Sequence, residues 1–99
     1  MGNKYHVHHG PYGSRGEARP VEYRDEQNRA IAGYSKSEAW AGSPAMDWVT
    51  LYSRPNVPHI KRIPHIEGRA EAICEAWVKE LGFEHDEARD SWDHRSMCD

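Results

Sequence analysis

The chain has 99 residues, 37% hydrophobic and 29% charged, with a net charge of −3. That length supports one hydrophobic core, because a second could not offset the entropy of ordering its own stretch of chain. The charge is too small to single out a charged partner, and no apolar run approaches the roughly 18 residues that crossing a bilayer takes.

The aliphatic supply is thin, with two Leu, five Ile and five Val, so the four Trp and five Tyr must provide much of the buried area. Each aromatic side chain buries roughly 150–250 Å². So sparse a core is marginal alone, and self-association as a homo-oligomer is expected. The two cysteines, Cys74 and Cys98, have no disulfide-framework spacing, and the first residues lack the pattern of a secretory signal. A reducing cytoplasm is the expected setting.

In chain order, Lys4 to His9 alternates, with Tyr5 and Val7 on one side and His6 and His8 on the other, the period of a half-buried strand. Gly10, Pro11, Gly13, Ser14 and Gly16 break it into a loop. Residues 20–24 and 29–34 flank the turn-forming residues 25–28 and predict a hairpin in which Val21 and Tyr23 share a face. Ser37 caps a short helical turn through Ala41, which Gly42, Ser43 and Pro44 end. Residues 46–53 form the strongest strand. Trp48, Thr50 and Tyr52 take one face and Val49 and Leu51 the other, as suits a central strand.

Pro55, Pro58 and Pro64 forbid a regular helix or a central strand in the next stretch, so Val57, Ile60 and Ile63 are expected in an extended segment packed along the domain. Ile66, Ala70, Ile73, Trp77 and Leu81 fall at helical spacing, which predicts a helix over 66–81 with Gly82 as a left-handed C-cap. Beyond Phe83, dense charge without apolar periodicity predicts an acidic, flexible tail over 84–99, pinned by docking of Trp92. The expected fold is α+β: a small antiparallel sheet of three to four strands against one amphipathic C-terminal helix, in a single domain over residues 1–83.

His6, His8 and His9 cluster at the start, and His94 and Cys98 have the i, i+4 spacing of two ligands on a helical turn, residue types that suit a tetrahedral zinc site. No CxxC or HExxH spacing accompanies them, and a row of exposed strand histidines explains the cluster, so no metal or other cofactor is expected. The run GPYGSRG lacks the GxxxxGK[ST] spacing of a phosphate loop. Asp47, Glu67 and Glu71 are candidate acid–base groups, yet no spacing brings one to a histidine, and Cys74 falls on the apolar side of the helix. No enzymatic activity is expected.

From Trp48 to Ile66 there is no acid, while Arg54, Lys61 and Arg62 stand beside Tyr52, His59 and His65, a mixture that suits phosphate and base stacking. Elsewhere Arg15, Arg19, Arg24 and Arg29 are interleaved with Glu17, Glu22, Asp25 and Glu26. Tyr12, Tyr34, Trp40, Trp48, Tyr52 and Trp92 exceed what one short helix covers, and surplus Trp and Tyr beside Arg are the composition of binding hot spots. The expected site is Trp40, Trp48, Tyr52, Arg54, Lys61 and Arg62. It belongs to a non-catalytic modulator or inhibitor whose partner is a protein, either a host factor or a second copy. A small nucleic-acid or nucleotide binder is the alternative. The short length, aromatic-rich small core and idiosyncratic loops resemble the accessory proteins that bacteriophages make to bind or inhibit host factors, a likeness carried by no motif.

Overall fold

The computed structural model describes residues 3–10, 20–37, 45–54 and 57–92, the side chains of residues 36, 37, 54 and 57 excepted. Among the described residues the chain forms β1 (Asn3–His9), β2 (Val21–Arg24), β3 (Ala30–Ser37), β4 (Met46–Arg54), β5 (Val57–Pro64), α1 (Arg69–Glu80), β6 (Phe83–His85) and β7 (Ser91–Trp92), with a 3-10 turn at Glu87–Arg89. The strands make one sheet in the order β5-β4-β3-β2-β1-β6, and β7 also pairs with β1. Strands β1 to β5 are antiparallel to their neighbours, whereas β6 and β7 run parallel to β1.

The expectation of a three- to four-stranded antiparallel sheet against a C-terminal helix is therefore wrong: the sheet is mixed and seven-stranded, and the helix lies mid-chain. Two segments make the difference. The proline-rich stretch pairs with β4 along its whole length, an arrangement open to it because it lies at the edge of the sheet. The charged stretch after Phe83 supplies β6 and β7, which extend the other edge beside opposite ends of β1. Between them the Asp86 N–H donates to Tyr5 O at 2.8 Å, and Asp90 Oδ1 accepts from the Val7 N–H at 2.7 Å. Strands of two and three residues need no apolar periodicity when backbone and carboxylate bonds hold them.

The hairpin forms as the turn residues dictate. Asp25 Oδ1 accepts from the N–H groups of Gln27 and Arg29, and Asn28 takes the left-handed conformation with φ 63°. Register then sorts the side chains. Val7, Tyr23, Ala32 and Leu51 are aligned across β1 to β4, and Val21, Tyr34 and Val49 lie alongside on the same face. Helix α1 packs on this face with Ala70, Cys74 and Val78 buried. Tyr5, Tyr23 and Tyr34 form a row of rings at 5.8 and 6.4 Å between centroids, so aromatics fill the volume that the aliphatic inventory cannot.

Two polar contacts tie the helix down: Cys74 Sγ donates to Gly33 O at 3.5 Å, and Trp77 Nε1 donates to Tyr52 O at 3.3 Å. Left-handed glycines bracket it, Gly68 at φ 80° and Gly82 at φ 89°. It is shorter than the 66–81 expected from spacing, and Ile66 and Leu81 at the ends of the stripe stay exposed. No helix among the described residues is long and apolar enough to cross a membrane.

Candidate functional site

Alternation along the strands places a second set of side chains on the face that α1 does not cover. His8, Glu22, Gly33, Thr50 and Ile60 are aligned across it, and Ser35, Trp48 and Arg62 form the next row. On β3 the trench is bordered by small residues, Ala30, Gly33 and Ser35 among them, which leaves a volume of about 440 Å³ between Glu22 on one side and Trp48, Thr50 and Tyr52 on the other. A Cβ at Gly33 would stand 3.0 Å from Val21 O, so a side chain on the floor of the trench would crowd the β2 backbone.

Trp48 is 42% exposed, and the Arg62 guanidinium carbon stands 5.5 Å from its ring centroid. The two are cross-strand partners in the β4–β5 register, so the backbone itself sets the stack. Ile60, next to Arg62 on this face of β5, is 61% exposed. Arg24 is held by a salt bridge to Glu22. The face thus combines a stacked Trp–Arg pair, a tyrosine and an isoleucine, bordered by a trench.

Of the residues expected at the site, Trp48, Tyr52 and Arg62 are brought together. Lys61 is not among them: it lies across from Val49 and so on the helix side of β5. Arg54 ends β4 opposite Val57, and its side chain lies outside the described residues, as do Trp40, Tyr12 and most of the turn expected at 37–41. Tyr34 is on the helix side, packed against the core. Trp92 stacks on His9 with centroids 4.7 Å apart, its other face open at 51% exposure. Ile60 was missed because its spacing with Val57 and Ile63 suggested a buried stripe. Strand alternation with Pro58 and Arg62 was the signal that assigns it to the open face.

The histidines divide. His6 is buried, His8 Nδ1 lies 2.8 Å from Ser91 Oγ, and His9 stacks on Trp92. His94 and Cys98 lie outside the described residues, among which no three His, Cys, Asp or Glu side chains gather as a metal site. Two carboxylate–imidazole pairs form among the described residues, Asp90 with His85 Nε2 at 3.0 Å near the end of the described chain and a second at the end of the sheet. The buried Asp47 meets His65 Nδ1 at 2.9 and 3.0 Å, where the Ala45–His65 backbone bond closes the end of the β4–β5 ladder. Spacing alone cannot bring those residues together. The antiparallel register does.

Burial pushes the Cys74 thiol up to about 12, with Glu75 and Glu71 adding to the rise against the lowering effect of its bond to Gly33, so the thiol is protonated and inert at neutral pH. Burial likewise raises the Tyr34 hydroxyl to about 12 and Tyr23 further still. These groups serve the core. No protein-family model, curated protein or solved structure matches the chain.

Proposed function

We propose that the chain is a non-catalytic binding protein that engages a protein partner through the open face of β4 and β5, modulating or inhibiting that partner. The observation that carries this reading is the exposed Trp48–Arg62 stack flanked by Tyr52 and Ile60. Trp, Tyr and Arg dominate interface hot spots because each removes a large area from water and keeps a polar or charged edge for direction. Stacking holds Trp48 and Arg62 before any partner arrives, so less side-chain entropy is lost on binding.

The acid-free stretch from Trp48 to Ile66 favours the nucleic-acid reading, but this face supplies few cations, since Arg24 is committed to Glu22 and Lys61 points to the helix side. Duplex affinity needs several uncompensated phosphate contacts. The test is capture from a lysate of the source organism on the immobilised chain, followed by affinity measurement with the captured partner. Trp48→Ala is expected to weaken binding at least about tenfold, with little dependence on salt. A captured nucleic acid, released steeply as salt rises and indifferent to Trp48→Ala, overturns the reading.

A further inference from the structure

β5 is an edge strand, and its far side pairs with no described residue. Its hydrogen-bonding phase follows from one contact. The His65 N–H donates to Ala45 O at 3.0 Å, so 45 and 65 are a hydrogen-bonded pair, and in an antiparallel ladder 63, 61 and 59 are too. Residues 58, 60, 62 and 64 therefore turn their backbone groups outward. Two of the four are proline and have no N–H to offer, which leaves the Ile60 and Arg62 amides as donors and all four carbonyls as acceptors. Pro58 and Pro64 limit strand pairing to a short window between them.

The charged side chains in that window are exposed and one-signed. Arg62 and Ile60 face the trench side, Lys61 faces the helix side, and Lys61 makes no ion pair with a described residue. From Trp48 to Ile66 there is no carboxylate to balance them. Pairing β5 with a second copy would gather two Lys61 and two Arg62 in one ladder without a single acid from this stretch, and like charges on adjacent strands destabilise a sheet. A strand bearing acids opposite Lys61 and Arg62 and an apolar residue opposite Ile60 meets the opposite sign on both faces.

We propose that the β5 edge accepts an antiparallel, acidic extended segment of a partner protein, hydrogen-bonded at Ile60 and Arg62. The inference rests on the protein-binding reading above and adds to it where the partner's backbone lies and what charge it carries. The added strand would continue the sheet beside the Trp48–Arg62 stack, so main-chain bonds supply affinity and alternate side chains supply selectivity.

The test uses the full isotope-labelled chain and two acetylated, amidated pentapeptides, Thr-Glu-Glu-Val-Thr and Thr-Lys-Lys-Val-Thr, read by backbone amide exchange. The acidic peptide is expected to slow exchange at Ile60 and Arg62 at least about tenfold while the lysine peptide does not, and Lys61→Glu with Arg62→Glu should reverse the preference. Ile60→Pro removes an outward donor without touching the β4 ladder and should abolish protection. Equal response to both peptides, or none at Ile60 and Arg62, overturns the inference. Shifts confined to Trp48 and Tyr52 overturn it while leaving the open-face reading intact. Protection that grows with protein concentration alone, together with a dimer by sedimentation, makes a second copy the occupant and also overturns it.

Discussion

His6 is buried on β1 and its Nδ1 has no hydrogen-bond partner among the described residues, and an unsatisfied buried polar atom costs roughly 1–3 kcal/mol. His6→Phe keeps a flat ring without that atom and is expected to raise the unfolding free energy by about 1 kcal/mol in urea melts. Asp47 is the contrary case, a buried carboxylate with a partner. Asp47→Ala is expected to cost about 2 kcal/mol, and the double variant with His65→Ala well under the sum of the two single costs. Alkaline stability follows from Cys74 and Tyr34, raised to about 12 from ordinary values of 9.0 and 10.0, because burial disfavours their anions. The unfolded chain releases these protons at the lower values and the folded chain holds them. Stability should therefore be flat in this respect below pH 9.0 and fall as pH rises towards 12, as circular dichroism across that range would show. At this scale Cys74 was legible as core, because local period assigns a face, whereas for Tyr23 the period gave only the face it shares with Val21. The states of His6 and Asp47 were not, since each depends on atoms from distant strands.

The long periodic elements were legible. The hairpin, β4 and α1 all form near their expected places, because several residues vote for each period. The ends of α1 are legible in part: Gly82 stands just past the last residue of the apolar stripe, where a left-handed cap belongs, whereas nothing in the spacing marks the left-handed Gly68. A Cβ at either would meet nothing within 4 Å, so Gly68→Ala and Gly82→Ala isolate the conformational term and are each expected to cost about 1 kcal/mol in thermal melts. β6 and β7 were illegible, being too short for a period and charged enough to read as tail. Their hold on β1 runs through Asp90, which accepts the Val7 N–H and also meets His85 Nε2 at 3.0 Å. Asp90→Ala is expected to cost about 1–3 kcal/mol and to speed exchange of the Val7 amide selectively, since backbone bonds elsewhere in β1 are untouched.

At the scale of the molecule, the α+β class was readable from the mixture of periods, but the mixed sheet was not. Parallel pairing of β1 with β6 joins residues from opposite ends of the described chain, as Asn3 with Phe83 shows, and no local pattern encodes such a partner. The candidate site was legible to the extent that it lies within one hairpin. Trp48, Tyr52 and Arg62 share a face because β4 and β5 are consecutive, and Lys61 fell out because a single step along a strand reverses the side. The position of β1 also has a consequence for synthesis. β1 leaves the ribosome ahead of β6 and β7 and lacks their pairing on one edge until Phe83 to Trp92 have emerged, and at about 5–20 residues per second that interval lasts on the order of 4–16 s. Throughout it the nascent chain carries an open β-edge, so variants that weaken β6 or β7 should reduce soluble yield in cells more than their equilibrium stabilities alone suggest.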